Sequence, residues 1–366
     1  MKHNILDQSL QRIQSHIPLG STVAVGMSGG VDSSVTAALL KELGYDVIGL
    51  LMRNWEEDDH CSIEQDAQDV AIVAKTLNIP FYTLSFAREY YNEVFKKFID
   101  DLNKGLTPNP DILCNKEIKF HRLLERSRKF DAVALATGHY AAIRYDKNFF
   151  FLERAHDTQK DQTYFLYTAT QTTLSQTLFP LANFEKAEVR KIASYLNLPV
   201  ATKKDSTGIC FIGERRFSEF IRPYIGYSPG PIKSVEGKEL GSHEGLAYYT
   251  IGQRKGLRIG GSGDAWFVAE KNLSSNTLIV AQSNNHPSLF SKQLYIDNIH
   301  WITKEPSLPL RCSAQIRYRQ KDQPCTLDDQ GIVTFNSPQR AITPGQAIVF
   351  YTGQTCLGGG TIRERI

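Results

Sequence analysis

No two cysteines in this 366-residue chain stand in a Cys-x-x-Cys spacing, although six are present: Cys61, Cys114, Cys210, Cys312, Cys325 and Cys356. Such scatter argues against a structural zinc site and against a disulfide framework, leaving each cysteine as core packing or as a reactive thiol. No apolar run approaches the roughly 20 residues that span a bilayer. The N-terminal "MKHNILDQSLQRIQSHI" lacks a charged cap followed by an apolar core, so a secretory signal is not expected either. The chain is expected to be cytoplasmic, with no membrane association. Charge of one sign is also scarce: a net charge of +3 gives no basic coat for nucleic acid, though local basic clusters can still form. Internal repeats and low-complexity tracts are absent. The length is enough for two or three domains with a sizeable core.

Up to about Phe211, short β-branched runs alternate with helical periods. Stretches 22–27, 45–52, 80–86 and 131–140 read as buried strands. "DSSVTAALLKELG", "SIEQDAQDVAIVAKTLN", "EYYNEVFKKFIDDLNKG" and "KAEVRKIASYLNLP" read as helices. That alternation predicts an α/β fold with a doubly wound parallel sheet, whose ligands bind at the carboxyl ends of the strands. From Gly230 onward helical periods vanish. "AYYTIG", "AWFVAE", "TLIVAQ", "CSAQIRYR", "GIVTFN" and "QAIVFY" then read as short strands between Gly, Asn, Ser and Pro turns. The expected division is 1–213 for the α/β domain, 214–286 for a small β-rich middle domain, and 287–366 for a C-terminal β-barrel.

The run "AVGMSGGVDSSV" (24–35) has the parts of a phosphate-gripping loop between a strand and a helix. Glycines let the main chain approach a ligand closely, and the free amides at a helix start favour an anion. Ser28, Ser33 and Ser34 add hydroxyls. Asp32 is placed to cap the helix and to recruit Mg²⁺. The loop has no lysine of the kind that reaches the β- and γ-phosphates for transfer of the terminal phosphate. Its absence fits a loop that grips the part of a triphosphate leaving as pyrophosphate. A tight strand–helix turn with a capping Asp is the plainer alternative.

Two of the cysteines lie in distinctive surroundings. "TPNPDILCNKEIKF" puts Cys114 near Asp111, Lys116 and Lys119, at what reads as the start of a new helix after Pro108 and Pro110. A thiolate is favoured near a helix start with lysines close by, and Asp111 can act as a general acid or base. A packed helix-start cysteine is the other reading. "DSTGICFIGERRF" puts Cys210 between a Gly-containing turn and Arg215-Arg216, with a β-core cysteine as its alternative. "HDTQKDQTYFLY" sets Lys160, Asp161 and Gln162 before what reads as an aromatic strand. "QIRYRQK" places Arg317, Arg319 and Lys321 at alternating positions, either to follow phosphates or as an ordinary solvated strand face.

"GMSGGVDSSV", "TPNPDILCNKEIKF", "ATGHYA", "KDQTYFL", "DSTGICFIGERRF", "YYTIGQRKGL" and "AQIRYRQ" occur in an order that resembles the tRNA-specific 2-thiouridylases of the PP-loop ATP pyrophosphatase superfamily. The resemblance covers nearly the whole chain. It implies an ATP- and Mg²⁺-dependent sulfurtransferase that adenylates C2 of a wobble uridine in tRNA and inserts sulfur from a cysteine persulfide. It places ATP against Gly26, Met27, Ser28, Gly29, Gly30, Val31, Asp32, Ser33, Met52 and Gly138, with Gly138 small enough for a close approach of the adenylate. Cys210 would carry the persulfide, delivered by a relay protein or a cysteine desulfurase. Cys114 would be its partner thiol, and the two can end as a disulfide. Asn109, Pro110 and Asp111 would contact the target base; His139, Lys160, Asp161, Gln162, Arg317, Tyr318 and Gln346 would contact the rest of the tRNA. A monomer with no resident metal is expected. The rivals are a nitrogen-inserting ligase of the same superfamily, which needs neither cysteine, and a non-catalytic tRNA binder with a vestigial loop.

Overall fold

The computed structural model describes residues 3–55, 62–204 and 217–366. In its first part the strands are β1 (Thr22–Met27), β2 (Asp46–Arg53), β3 (Phe81–Ser85), β4 (Ala134–Thr137), β5 (Ala141–Asp146), β6 (Phe149–Arg154) and β7 (Thr177–Leu178). Five of them form a sheet in the order β3-β2-β1-β4-β7, with every pairing parallel. The order reverses between β1 and β4, so the switch point of the expected doubly wound sheet opens there.

Side-chain alternation explains why the sheet is covered on both faces. Val23, Val25 and Met27 of β1 join one core with Val35, Leu39 and Leu40 of helix α2 (Val31–Glu42). Ala24 joins the opposite core with Ile48, Leu50 and Leu135. The other helices are α1 (His3–Leu10) and α3 (Ser62–Leu77), then two longer ones. Of these, α4 passes through Ala87–Tyr90, a π-helical Tyr91–Phe95 and Lys96–Asn103. The other, α5, passes through Pro110–Leu113, a π-helical Cys114–Leu123 and Leu124–Ser127. Short α6 (Thr163–Leu166) and α7 (Gln171–Ser175) precede α8 (Lys186–Tyr195) and α9 (Phe217–Ile225). Among the described residues no helix is long and apolar enough to cross a membrane.

The β-rich parts follow. β8 (Gly230–Ser234), β9 (Glu239–His243), β10 (Trp266–Asn272) and β11 (Thr277–Gln282) make a separate sheet ordered β10-β11-β8-β9. β12 (Phe290–Trp301), β13 (Leu310–Gln315), β14 (Gln323–Leu327), β15 (Ile332–Arg340), β16 (Ala347–Thr352) and β17 (Thr355–Arg365) pair antiparallel, and β12 pairing with β17 closes the barrel. The hairpin β5–β6, though it follows β4 directly, leaves the parallel sheet and adds to the barrel. Leu152 and Glu153 of β6 pair with Cys356 and Thr355 of β17. Accordingly Val349, Tyr351 and Cys356 share a core with Phe95 and Ile118 of the α/β part.

Three stretches differ from expectation. "AYYTIG" is not a strand: Leu246–Tyr248 form one 3₁₀ turn. Gly245 and Gly252 flank it at φ 148 and 82, and Leu246 and Tyr249 turn into the middle-domain core. The aromatic stretch after Gln162 is helix α6, not a strand. Its Tyr164 is buried and donates to the Ala347 carbonyl at 2.9 Å, so tertiary packing overrides the β preference of aromatic residues. β13 stops at Gln315, and residues 316–320 turn, with Arg319 at φ 61 and Ile316 N–H donating to Gln320 Oε1 at 2.8 Å. Arg317, Arg319 and Lys321 therefore do not alternate along one strand face. Cys325 and Cys356 are buried, and Cys312 faces Cys325 across β13–β14 with the sulfurs 3.8 Å apart.

Candidate active site

The loop Ser28-Gly29-Gly30 leaves β1 at the switch point, and its conformation is fixed from several sides. Gly29 has φ 70, and a Cβ there would lie 2.9 Å from the Asp66 carbonyl oxygen of α3. Ser28 N–H donates to Ser33 Oγ at 3.2 Å, while Ser33 Oγ and Ser34 Oγ both donate to the Gly30 carbonyl. Gly30 is the N-cap of α2 and supplies no side-chain cap. Asp32 does not cap the helix as expected. Its carboxylate instead accepts two bonds from Lys186 Nζ, at 2.8 and 2.7 Å, and one from Tyr140 Oη at 3.0 Å. A competing ammonium from α8 has taken the side chain that local sequence would assign to the helix amides.

Gly138 follows β4 on the other side of the switch point. A Cβ at Gly138 would lie 2.8 Å from Asp32 C and Ser33 N. Its smallness therefore serves the packing of α2 against the end of β4, a different reason from the close ligand approach read in the sequence. Gly26 is less constrained, its nearest neighbours being Leu123 Cδ2 at 3.5 Å and Thr137 Cγ2 at 3.7 Å. Met27 is buried with Val31 in the core against α2, its sulfur filling the space above Gly49. Met52, half-buried at the end of β2, packs against the opposite core.

Cys114 sits in the second turn of α5 rather than at its start. Pro110 occupies the first helical position, where a missing N–H costs nothing, and Asn109 Oδ1 accepts from Asp111 N–H at 3.1 Å as the cap. The prolines thus begin the helix four residues earlier than the sequence suggested. Cys114 is only 1% exposed, within a core that includes Trp55, Phe95 and Ile118. Lys116 points outward and pairs with the adjacent Glu117 at 3.3 Å. From Cys114 the helix widens into π-helical turns, a form concentrated at functional sites. It runs past both strand ends: Phe120 packs 5.8 Å from the His139 ring, and Leu123 packs against Gly26. Cys61 and Cys210, with Arg215 and Arg216, lie outside the described residues.

The segment that leads into Asn109 is clamped by both β-rich parts. Gln346 Nε2 donates to the Thr107 carbonyl at 2.6 Å, and Thr107 N–H donates to the Pro344 carbonyl at 2.9 Å. From the middle domain, Lys271 Nζ donates to the Gly105 carbonyl at 3.1 Å, and burial pushes its pKa down to about 8. Gln346 thus reaches the α/β part through the backbone just before the Cys114 helix.

Asp161 is buried and accepts from Ala155 N–H, Thr163 Oγ1 and Arg154 Nη1, while burial raises its pKa against those bonds. Gln162 grips the Tyr140 backbone with both its side-chain oxygen and its own N–H. Both residues fasten the chain after β4; Lys160, beside them, is half-buried. Arg317 is exposed, and the Tyr318 ring lies 4.5 Å from Phe165. Lys186, Tyr140 and Lys203 were missed in the sequence. Lys203 Nζ bridges Asp66, Asp69 and the Gly29 carbonyl. Separations of 154 residues for Lys186–Asp32 and 174 for Lys203–Gly29 left no local signal.

His139 is buried between Phe120 and Phe179, with Nδ1 2.7 Å from Thr137 Oγ1. Burial, with the charge of Lys119 adding to it, holds its pKa well below the ordinary 6.5. The folded protein therefore keeps this imidazole neutral where the unfolded chain takes up a proton. Stability from this group is complete above pH 6.5 and is lost as pH falls below it, by about 1.4 kcal/mol per pH unit. His139→Gln is expected to flatten that dependence. Urea midpoints of both proteins across this range check it, and parallel pH profiles would refute it.

Family models match all three parts: a tRNA methyl transferase HUP domain over residues 21–214, a tRNA methyl transferase PRC-barrel domain over 218–282, and an aminomethyltransferase beta-barrel domain over 291–362. Among curated relatives, the tRNA-specific 2-thiouridylase MnmA of Protochlamydia amoebophila is 52% identical over 351 residues, covering 94% of this chain and 93% of that one. The tRNA-specific 2-thiouridylase MnmA of Legionella pneumophila subsp. pneumophila is 51% identical over 94% of this chain and 99% of its own. That of Shouchella clausii is 50% identical over 93% and 96%.

Proposed function

This chain belongs to the family of tRNA-specific 2-thiouridylases, and from that premise we propose a two-stage reaction at the switch point between β1 and β4. In the first stage the C2 oxygen of a wobble uridine attacks the α-phosphate of ATP, and pyrophosphate leaves through the Ser28–Ser33 loop. The loop and the uncapped start of α2 offer amides and hydroxyls to the phosphates. Met52 and Gly26 border the same strand ends. Asp32 fits Mg²⁺, which commonly binds one or two carboxylates together with substrate phosphates. Bound there, the ion would neutralise phosphate charge.

In the second stage sulfur replaces the activated oxygen. The terminal sulfur of a Cys210 persulfide attacks C2, the C2–O bond to AMP breaks, and the tRNA is held to Cys210 through an S–S bond. The Cys114 thiolate attacks Cys210 Sγ, forming a Cys114–Cys210 disulfide and releasing the sulfur on C2 as 2-thiouridine. A cellular thiol reductant restores both thiols, and a relay protein or cysteine desulfurase reloads Cys210. Asp111 moves protons in this scheme, and Asn109 and Pro110 border the base. His139, Lys160, Asp161, Gln162, Arg317, Tyr318 and Gln346 belong to the tRNA side, several of them by holding the backbone that meets it.

The observation that carries this reading is helix α5. It carries Cys114 in its second turn and packs Phe120 and Leu123 against His139 and Gly26, so one element joins the thiol to the nucleotide loop. Methyl transfer, the activity in two of the matching family-model descriptions, gives this pairing of thiol and loop no role. The test is nucleoside mass analysis of tRNA incubated with the protein, ATP, Mg²⁺ and a persulfide donor. A gain of one sulfur in place of one oxygen at uridine, with AMP and pyrophosphate in equal amounts, is expected. A methylated product, or thiolation without ATP, would sink the reading.

A further inference from the structure

The loop at the switch point has no lysine in its own sequence, yet it has one in space. Lys186 is the first residue of α8, where a Glu185–Glu188 capping box and the bond from Lys186 N–H to Asp157 Oδ2 fix the helix start. Its ammonium grips both oxygens of Asp32, the second residue of α2, and its side chain is only 12% exposed. Tyr140 Oη holds the same carboxylate from the β4 side. Three elements therefore converge on one charge pair at the mouth of the loop. Lys203 also touches the loop at the Gly29 carbonyl, but two carboxylates, Asp66 and Asp69, already surround it.

Charge decides what this pair does when nucleotide arrives. A triphosphate brings several negative charges to a loop whose acidic side chain is Asp32. Asp32 alone would repel it; Lys186 cancels that carboxylate and leaves the helix amides as the net attraction. A long, flexible lysine stem lets Nζ exchange a carboxylate oxygen for a phosphate oxygen without moving the backbone. We propose that Lys186 is the phosphate-gripping lysine of this loop, delivered from 154 residues downstream, resting on Asp32 and passing to the β- and γ-phosphate oxygens that leave as pyrophosphate. The proposal rests on the nucleotide reading of the loop given above. It also revises the sense of the missing lysine: the cation is supplied by another helix, so leaving-group binding does not depend on the loop alone.

Equilibrium binding of ATP, inorganic pyrophosphate and AMP to the full chain without tRNA tests it, using wild type, Lys186→Met, Lys186→Arg and the double variant Asp32→Asn with Lys186→Met. Lys186→Met is expected to weaken ATP and pyrophosphate roughly 10- to 100-fold, the worth of a charged hydrogen bond. AMP affinity should stay within about twofold, since AMP lacks the phosphates that the lysine grips. Lys186→Arg should recover most of the loss. The double variant removes the carboxylate left unpaired, so it keeps the AMP site formed if the single variant is unstable; measured without Mg²⁺ and against Asp32→Asn alone, it should show the same selective loss. Unchanged ATP and pyrophosphate affinity, or equal weakening of ATP and AMP, would overturn the proposal and make Lys186 a tie between α8 and α2. Wild-type protein that binds neither ATP nor pyrophosphate would instead overturn the nucleotide reading, and the proposal with it.

Discussion

Cys114→Ser is expected to form no 2-thiouridine while still releasing pyrophosphate from ATP when tRNA is present. The variant replaces one buried sulfur by an oxygen at a position in the main core. The helix that carries it is held by the Asn109 cap, by Pro110 and by packing at Phe120 and Leu123. A serine hydroxyl buried there costs about 1–3 kcal/mol unless it finds an acceptor, and in a helix the carbonyl four residues back can provide one. The nucleotide loop should therefore remain formed. What serine cannot do is open a disulfide, because thiol–disulfide exchange needs a thiolate nucleophile. Activated tRNA should then accumulate bound to Cys210, and gel analysis without reductant should show it. Cys210→Ser should likewise stop thiolation but trap no tRNA. Multiple rounds of thiolation by Cys114→Ser would remove the two-cysteine scheme, as would loss of pyrophosphate release in a variant that melts like the wild type.

Gly138→Ala is expected to cost at least tenfold in ATP affinity and about 1–3 kcal/mol in stability, the usual range for overpacking. The added methyl would meet main-chain atoms of Asp32 and Ser33 at 2.8 Å, and backbone cannot swing aside as a side-chain tip can. Relief requires the first turn of α2 to retreat from β4, carrying with it the amides proposed to meet the phosphates and the Asp32–Lys186 pair. Gly26→Ala is the matched control. Its methyl would meet side-chain carbons at 3.5 and 3.7 Å, ordinary contact distances, so stability should change little, and any loss of ATP affinity there reports ligand contact rather than crowding. Thermal melts and nucleotide titrations of both variants decide between steric and ligand-contact origins. If the Gly138 variant melts like the wild type, the steric account fails.

What was legible in the sequence was local. β1, the SGG turn and α2 follow one another within about twenty residues, and their periodicity, glycines and helix start can be read directly. The parallel sheet followed from the spacing of strands and helices. What the pattern missed depended on distant partners. Asp32 reads as a cap until Lys186 arrives from α8. Gly138 reads as room for a ligand until α2 is packed against it. The stretch after Gln162 reads as a strand because it is aromatic, yet Tyr164 is drawn into a helix by burial and by the Ala347 carbonyl. Cys114 reads as one turn nearer the helix start because both prolines read as breakers, whereas Pro110 is the first helical residue.

The pairing of β6 with β17 also sets a timetable for synthesis. Glu153 and its partner Thr355 are 202 residues apart, so the β5–β6 hairpin leaves the ribosome long before the strand that completes it. At ordinary elongation rates that interval is about 10–40 s, far longer than a hairpin needs to form. The α/β part can build its parallel sheet in that time but keeps an open edge. A chain that stops before β17 would expose that edge to other chains. The nucleotide loop, made first, thus belongs to a domain whose last strand neighbour is made almost last.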